Sequence, residues 1–210
     1  LRKEGKLPAL GGLLESQTDP TYTMSDGRVI PTLAFGLYKV PPTEEGKKII
    51  ADAISAGYRH FDTASVYVNE RILGQAIRNS GIPRENFILC SKVWNDAQKE
   101  GREAVRRSVE KSLDELDCGY IDIMYVHWPV PGRFVDTYKE LQEHLKEGKI
   151  RNIGISNFGV PEYEELMNCQ DITVPPTVNQ IEVSPFMYRP SIIQYFQDRG
   201  ILIAASKALH

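Results

Sequence analysis

The 210-residue chain is 41% hydrophobic and 25% charged, which is ordinary for a globular protein and sufficient for one sizeable core. Its formal net charge is −3, with Lys and Arg dispersed among Asp and Glu, so the sequence has no basic patch that would favour nucleic acid. No apolar run approaches the roughly 18 residues of a membrane span, and the first twenty residues lack the apolar core of a signal peptide. We therefore expect a cytoplasmic protein with neither a nucleic-acid nor a membrane partner.

The three cysteines, Cys90, Cys118 and Cys169, are far apart and form no CxxC spacing. This pattern indicates neither a disulfide framework nor a metal site.

The chain divides into two parts by composition. Residues 1–20 are rich in Gly, Pro and charge and are expected to form a flexible tail, whereas residues 21–210 are expected to form one domain. This domain begins with TYTMSDGRVIP, which predicts a short β-hairpin because Asp26 and Gly27 suit the positive φ angles of a tight turn.

Candidate strands and amphipathic segments then alternate along the chain. The strands are short, apolar and rich in β-branched residues, as expected for strands buried on both faces, and they lie at 32–38, 58–64, 86–93, 120–127, 150–156, 177–183 and 201–206. Between them, the stretch 98–116 places four apolar residues on one helical stripe. Pro161 and Pro190 are suited to the first position of a helix. Gly57, Gly148 and Gly200 lie where left-handed residues are expected to end helices.

This alternation predicts a parallel sheet with right-handed crossovers, and periodicity alone leaves a closed barrel and an open doubly wound sheet as alternatives. The first strand is not followed by GxGxxG, which favours the barrel over the dinucleotide-binding open sheet. A spacing of roughly 25 to 35 residues per unit fits a barrel of about 250 residues. We therefore expect a parallel (β/α)8 TIM barrel, with the chain stopping at strand seven and the eighth βα unit missing.

Polar side chains lie where these strands end. Asp62, Lys92 and His127 close three successive strands, and Tyr67 lies in the loop after the first of them. Each alone is more often a helix cap, a surface residue or a packing residue, but the carboxyl ends of barrel strands converge on one mouth. An ammonium near a phenol lowers the tyrosine pKa from about 10 toward neutrality, so these four residues (the tetrad) predict a proton-transfer site.

Five ordered segments resemble the signatures of the aldo-keto reductases over about residues 28–209. They are GYRHFDTASVYVNE, FILCSKVW, YIDIMYVHWP, GKIRNIGISNF and VNQIEVSP. The resemblance implies hydride transfer from a reduced nicotinamide, usually NADPH with NADH not excluded, to a small aldehyde or ketone. It also implies a (β/α)8 barrel.

The same resemblance assigns roles to individual residues. Tyr67 would be the general acid, Lys92 would tune it, Asp62 would pair with Lys92, and His127 would orient the carbonyl. Residues matching those that bind the cofactor are Asp62, Ser156, Asn157, Gln180 and Ser206, and residues matching those that line the substrate pocket are Tyr38, Trp94 and Trp128.

The sequence departs from the family pattern at two places. The family usually has an aromatic residue stacked on the nicotinamide where this chain has Ser206, and serine cannot stack. The segment that would hold the eighth strand and the adenosine phosphate is also missing, so we expect a C-terminally incomplete member of the family.

These departures keep an alternative function open, a catalytically weak or inactive regulatory or binding protein on the reductase scaffold. A Schiff-base aldolase using Lys92 is weaker, because it gives Tyr67 and His127 no linked purpose.

Overall fold

The computed structural model describes residues 21–24 and 27–208. The tail expected at residues 1–20 and the turn residue Asp26 lie outside the described residues. Within the described ranges, no helix has the length and apolarity needed to cross a membrane.

The N-terminal hairpin is confirmed. Strands β1 (Thr21–Thr23) and β2 (Val29–Pro31) pair in antiparallel fashion. The Met24 amide donates to the Arg28 carbonyl at 2.8 Å, and the Gly27 amide donates to the Met24 carbonyl at 2.9 Å. Gly27 has a φ of +83°, the positive angle expected from the sequence.

The predicted parallel sheet is confirmed, and over the described residues it has seven strands that are hydrogen-bonded in chain order. Every neighbouring pair is parallel. The strands are β3 (Phe35–Gly36), β4 (His60–Asp62), β5 (Ile88–Val93), β6 (Ile121–Val126), β7 (Ile150–Ser156), β8 (Val178–Glu182) and β9 (Leu202–Ser206). All residues of β5 and β6 are buried, which explains their almost continuous apolar sequences.

Helices connect the strands. They are α1 (Glu44–Ser55), α2 (Glu70–Asn79), α3 (Asn95–Glu100), α4 (Arg102–Leu116), α5 (Phe134–Lys146), α6 (Val160–Met167) and α7 (Pro190–Gln197). The helix predicted from residue 98 is in fact divided at Gly101, whose φ of +105° is incompatible with a continuous helix. Gly57, Gly148 and Gly200 have the left-handed φ angles that the sequence predicts.

The sheet curls so that distant strands meet across its inner face. Gln180 on β8 donates from Nε2 to Asp62 Oδ2 on β4 at 2.9 Å, although three strands separate β4 from β8 in the sheet order. This curvature, with the helical connections, gives the predicted barrel architecture. In the part of the chain that the structure describes, β3 and β9 are the two edges of the sheet.

The hairpin covers the end of the curled sheet where the strands begin. Its Met24 and Ile30 pack in one buried cluster with Ile88, Cys90, Ile123, Tyr125 and Val178. The buried Asp122 accepts hydrogen bonds from Arg28 of the hairpin, from Arg84 at 2.8 Å and from the Leu89 amide at 2.9 Å. This end is therefore largely apolar and anchored by ion pairs, with His60 in contact with the Pro31 carbonyl at 3.0 Å and with Cys90, and the tetrad lies toward the opposite end.

Gly154 in β7 provides a test of this interior packing. A Cβ at this position would lie 2.4 Å from Cδ1 of the buried Tyr125 ring. We expect Gly154→Ala to lower the free energy of unfolding by about 1 to 3 kcal/mol, measured by urea denaturation, because the added methyl group would overlap the buried Tyr125 ring and force it to shift.

The matched control is Gly36→Ala in β3, where an added Cβ meets nothing within 4 Å. This change should be neutral or slightly stabilising because alanine loses less backbone entropy than glycine. Equal unfolding midpoints for the two variants would contradict the packing argument.

Candidate active site

The ends of three neighbouring strands and one short turn position the tetrad. Asp62 is the last residue of β4, Lys92 is the fifth residue of the six-residue β5, and His127 directly follows β6. Tyr67 ends a single 3-10 turn, Ser65–Tyr67, that follows β4. The predicted convergence at one mouth is observed.

Lys92 and Asp62 form a buried ion pair at the centre of this mouth. The Lys92 side chain is only 1% exposed, and its Nζ donates both to Asp62 Oδ1 and to the Thr63 carbonyl at 2.8 Å. The second Asp62 oxygen accepts the hydrogen bond from Gln180. Both charges thus have several polar partners, as burial of an ion pair requires.

Tyr67 lies among aromatic rings beside this pair. Its ring centroid is 5.9 Å from that of His127, in an edge-to-face arrangement, and 5.3 Å from that of Tyr38. The Lys92 Nζ lies 5.4 Å from the Tyr67 ring centroid. The phenol therefore adjoins an ammonium, an imidazole and the solvent-facing Tyr38.

The expectation that Lys92 lowers the pKa of Tyr67 is wrong for this structure. Burial raises the Tyr67 pKa above its ordinary value of 10, and the negative charge of Asp62 and the neighbouring Tyr38 raise it further. The physical reason is that the ammonium is in direct contact with a carboxylate, so the phenol experiences a nearly balanced pair of charges. Tyr67 therefore carries its proton, which is the form that a general acid requires.

His127 is held in its neutral form. Its pKa is lowered from 6.5 to about 4, chiefly by burial and also by the nearby Lys92 charge, with a smaller opposing effect of Asp62. Its Nδ1 is buried and has no hydrogen-bond partner among the described residues. The Trp94 ring lies edge-to-face against the imidazole with centroids 4.9 Å apart. A neutral imidazole can donate one hydrogen bond and accept another.

Ser156, Asn157 and Gln180 form a connected polar cluster next to the tetrad. Ser156 Oγ donates to the Gln180 carbonyl at 3.0 Å, and Asn157 Nδ2 donates to the His127 carbonyl at 2.9 Å and to Ser156 Oγ at 3.1 Å. The structure therefore brings the predicted carboxamide-binding residues together.

The donors and acceptors of this cluster fit a carboxamide. Among the described residues, no hydrogen bond reaches Asn157 Oδ1 or Gln180 Oε1, so both can accept from an amide NH2 group. The Ser156 hydroxyl could donate to the amide oxygen after exchanging its present partner.

The predicted pocket aromatics differ in exposure. Tyr38 is 61% exposed and Trp128 is 45% exposed, whereas Trp94 is half-buried against His127. Tyr38 and Trp94 thus contact the rings of Tyr67 and His127, and Trp128 follows His127 along the chain.

Comparison with known proteins agrees with this geometry. Residues 32–210 match the model of the aldo/keto reductase family. The chain belongs to this family. It is 38% identical over 185 residues to a glyoxal reductase of Bacillus subtilis, an alignment that covers 88% of the chain and 66% of that relative. The chain therefore spans about two thirds of the length of such relatives.

Solved structures of reductases in this family have the same fold. The match to an aldo/keto reductase from Brucella melitensis has a TM-score of 0.85 at 34% identity and covers 91% of this chain and 74% of the other. The match to a Bombyx mori aldo-keto reductase, crystallised in complex with NADP, has a TM-score of 0.81 at 31% identity, with 91% and 67% covered.

Ser206 is the last residue of β9 and pairs with Glu182 of the neighbouring strand β8. Its backbone carbonyl accepts a hydrogen bond from the Val183 amide at 3.2 Å. Gln180 pairs with Ala204, so Ser206 lies two residues farther along the strands than the level of Gln180. No aromatic ring is supplied from this position.

Two buried residues next to the tetrad were not assigned a role from the sequence. Thr63 supplies the carbonyl that accepts from Lys92, and its hydroxyl donates to Asn69 Oδ1 at 2.6 Å. Both side chains are fully buried. Their only sequence signal is that small polar residues flank Tyr67 in DTASVYVNE, which is also typical of a helix start.

The pKa of His127 generates a pH-dependent prediction. The unfolded chain binds more protons than the folded chain between about pH 4 and 6.5, so the free energy of unfolding should fall as pH drops through this window. At 1.36 kcal/mol per pKa unit, the loss is at most roughly 3 kcal/mol.

This prediction is tested with His127→Gln, by urea unfolding at several pH values from 4 to 7.5. The stability difference between wild type and variant should change over this window and be constant above it. The pKa of His60 is also lowered by burial, but His60 is present in both proteins, so its contribution cancels in the stability difference. Parallel pH curves for wild type and variant would contradict a buried neutral His127.

Proposed function

We propose that this protein reduces aldehydes or ketones to alcohols by hydride transfer from NADPH, with Tyr67 as the general acid. The observation that carries this proposal is the protonated Tyr67 beside the Lys92–Asp62 pair and the neutral His127. Family membership and the likeness to a glyoxal reductase support a carbonyl substrate. The NADP complex of the Bombyx mori relative supports the cofactor.

When bound, NADPH would supply the hydride that is added to the carbonyl carbon. The Tyr67 hydroxyl gives its proton to the carbonyl oxygen, so that an alcohol forms and the phenol becomes a phenolate. Lys92 Nζ, 5.4 Å from the ring centroid, offsets the negative charge of Asp62, which would otherwise oppose formation of the phenolate. A proton from solvent then restores the phenol.

His127 and the polar cluster would orient the substrate carbonyl and the cofactor carboxamide, respectively. The neutral His127 can donate a hydrogen bond to the carbonyl oxygen and hold it toward Tyr67. Ser156, Asn157 and Gln180 would bind the cofactor carboxamide, and Asp62 fixes Gln180 through the 2.9 Å hydrogen bond. Placing both reacting groups in one oriented site removes much of the entropic barrier.

The aromatic rim favours carbonyl compounds with an apolar or aromatic group. Tyr38, Trp94 and Trp128 provide ring surface around the mouth, of which Tyr38 and Trp128 are substantially exposed. Burial of apolar surface against such rings stabilises binding by about 25 cal/mol per Å2.

The first test is NADPH oxidation with nitrobenzaldehyde, followed by loss of reduced-cofactor absorbance, in wild type and Tyr67→Phe. We expect the variant to lose at least 100-fold in kcat, because general acid catalysis contributes about 10² to 10⁴. The fold should be retained, since the change removes one hydroxyl. Parallel assays with NADH measure the cofactor preference.

Tyr22→Phe is the matched control, because Tyr22 is 49% exposed in the hairpin at the opposite end of the barrel. It should keep wild-type turnover. Equal activity of wild type and Tyr67→Phe would eliminate Tyr67 as the acid.

Ser206 favours a second candidate function, a binding or regulatory protein on the reductase scaffold. Without a stacking ring the cofactor has less contact at this position, and the protein could bind NADPH without turning it over. Titration of NADPH against tryptophan fluorescence separates the two functions, because the second predicts binding with negligible turnover.

Ser206→Tyr tests this position directly. A ring stacked on the nicotinamide should contribute about 0.5 to 1.5 kcal/mol, which lowers the NADPH dissociation constant roughly 2- to 10-fold. Ser206→Ala is the control and should leave affinity close to that of wild type. An unchanged dissociation constant in Ser206→Tyr would show that this strand end does not face the nicotinamide.

The Schiff-base aldolase receives no support from the geometry. Lys92 Nζ is engaged with Asp62 and the Thr63 carbonyl, whereas carbinolamine formation requires a free amine. Borohydride should therefore trap no adduct at Lys92.

A further inference from the structure

Asn69 is a fully buried amide between the loops that carry Tyr38 and Tyr67. It directly precedes α2, yet its side chain makes no capping hydrogen bond to that helix. Its Nδ2 donates instead to the Leu37 carbonyl at 2.9 Å and to the Val40 carbonyl at 3.0 Å. Both protons of the amide nitrogen are thus used across a sequence distance of about thirty residues.

The two carbonyls flank the turn that contains Tyr38. Leu37 donates its amide to the Asp62 carbonyl at 2.8 Å, and Val40 donates to the Leu37 carbonyl at 3.0 Å, so Asn69 completes the bonding of this turn. Fixing the turn fixes Tyr38, whose ring lies 5.3 Å from Tyr67.

The oxygen of the Asn69 amide is bonded to Thr63, the residue directly after β4. Asn69 Oδ1 accepts from the Thr63 hydroxyl at 2.6 Å, and the Thr63 carbonyl accepts from Lys92 Nζ at 2.8 Å. One side chain therefore connects the substrate-facing Tyr38, the end of β4 and, through Thr63, the ammonium beside Tyr67.

We propose that Asn69 is a positioning residue that sets the placement of Tyr38 and Lys92 relative to Tyr67. It touches none of the reacting groups and acts through the Leu37–Val40 turn and through Thr63. For the kinetic part of its test, this inference rests on the proposed reductase function.

A small displacement here has a large expected effect on rate. Misplacement of reacting groups by about 1 Å can cost on the order of 100-fold. Removal of the amide also leaves the Leu37 and Val40 carbonyls and the Thr63 hydroxyl with fewer partners in a buried region. The turn should then relax and admit water beside Tyr67.

A purely structural role predicts a different result, and Gln142 on α5 is the matched control for it. This buried amide donates to the Asp171 carbonyl at 2.9 Å and accepts from the amides of Thr173 at 2.9 Å and Val174 at 3.0 Å. It thus makes equally extensive bonds to a loop after α6 that carries none of the site residues.

The test compares wild type, Asn69→Ala, Thr63→Val and Gln142→Ala. 3-Fluorotyrosine is incorporated at position 67, and its 19F signal is titrated with pH in each protein. The groups that face this phenol are Asp62, Tyr38, Lys92 and His127. NADPH-dependent reduction of nitrobenzaldehyde is measured on the same proteins without the label, with kcat and KM determined separately.

In Asn69→Ala, we expect the fluorotyrosine to titrate at lower pH than in wild type and kcat to fall about 10- to 100-fold. Thr63→Val removes one hydroxyl at nearly constant volume and should shift both readouts less, in the same direction, even if Asn69→Ala does not fold. Gln142→Ala should lose stability while leaving titration and kcat within about twofold of wild type, within the usual context dependence of side-chain deletions.

If the titration of position 67 is unchanged in folded Asn69→Ala, or in Thr63→Val where the former does not fold, the positioning role is refuted. The same holds if Gln142→Ala shifts it equally. Absence of turnover in wild type would refute the proposed reductase function alone, because the 19F titration still decides whether Asn69 positions the site.

Discussion

The buried Lys92–Asp62 pair is the interaction on which the rest of this mouth depends. An ammonium that is 1% exposed is tolerable only if its charge is matched and its protons are bonded, and here the last residue of β4 supplies the Asp62 carboxylate and the next residue supplies the Thr63 carbonyl. Loss of either charge would leave the other buried alone, typically at a cost of 3 to 5 kcal/mol. The pair therefore fixes the spacing of β4 and β5, and Gln180 extends the constraint across the curled sheet to β8.

The same charge balance explains the protonation of the neighbouring groups. Because Asp62 offsets Lys92, burial dominates at Tyr67 and raises its pKa, and burial also lowers the pKa of His127 to about 4. Both side chains are consequently neutral, and each still has a proton to donate. A site built from a bound ion pair and two neutral donors suits proton delivery to a carbonyl oxygen better than one with a preformed phenolate, which would have no proton to give.

Much of this arrangement could be predicted from the sequence because it follows from local pattern. Buried parallel strands are read from apolar runs, and the polar residues at their ends, such as Asp62 and Lys92, converge wherever such strands form a curled sheet. The break at Gly101 could have been suspected from glycine alone, but a stripe of apolar residues outweighed it. The direction of the Tyr67 pKa shift and the role of Thr63 could not be predicted, because both depend on which partner Lys92 contacts in three dimensions. For the same reason, Asn69 could be read as an ordinary residue before a helix.

The two ends of the interior differ in polarity, and inward-facing residues of the same strands contribute to both ends. Inward-facing Cys90 and Tyr125 belong to the apolar cluster beneath the hairpin, and two residues farther along the same strands Lys92 and His127 begin the polar mouth. Gly154 leaves the space that Tyr125 occupies, and the Tyr125 ring in turn lies 5.7 Å from Lys92 Nζ. The Lys92 ammonium therefore lies near the Tyr125 ring on the hairpin side and is hydrogen-bonded to Asp62 and Thr63. Apolar packing that seems remote from the chemistry thus determines where the charge of Lys92 can be.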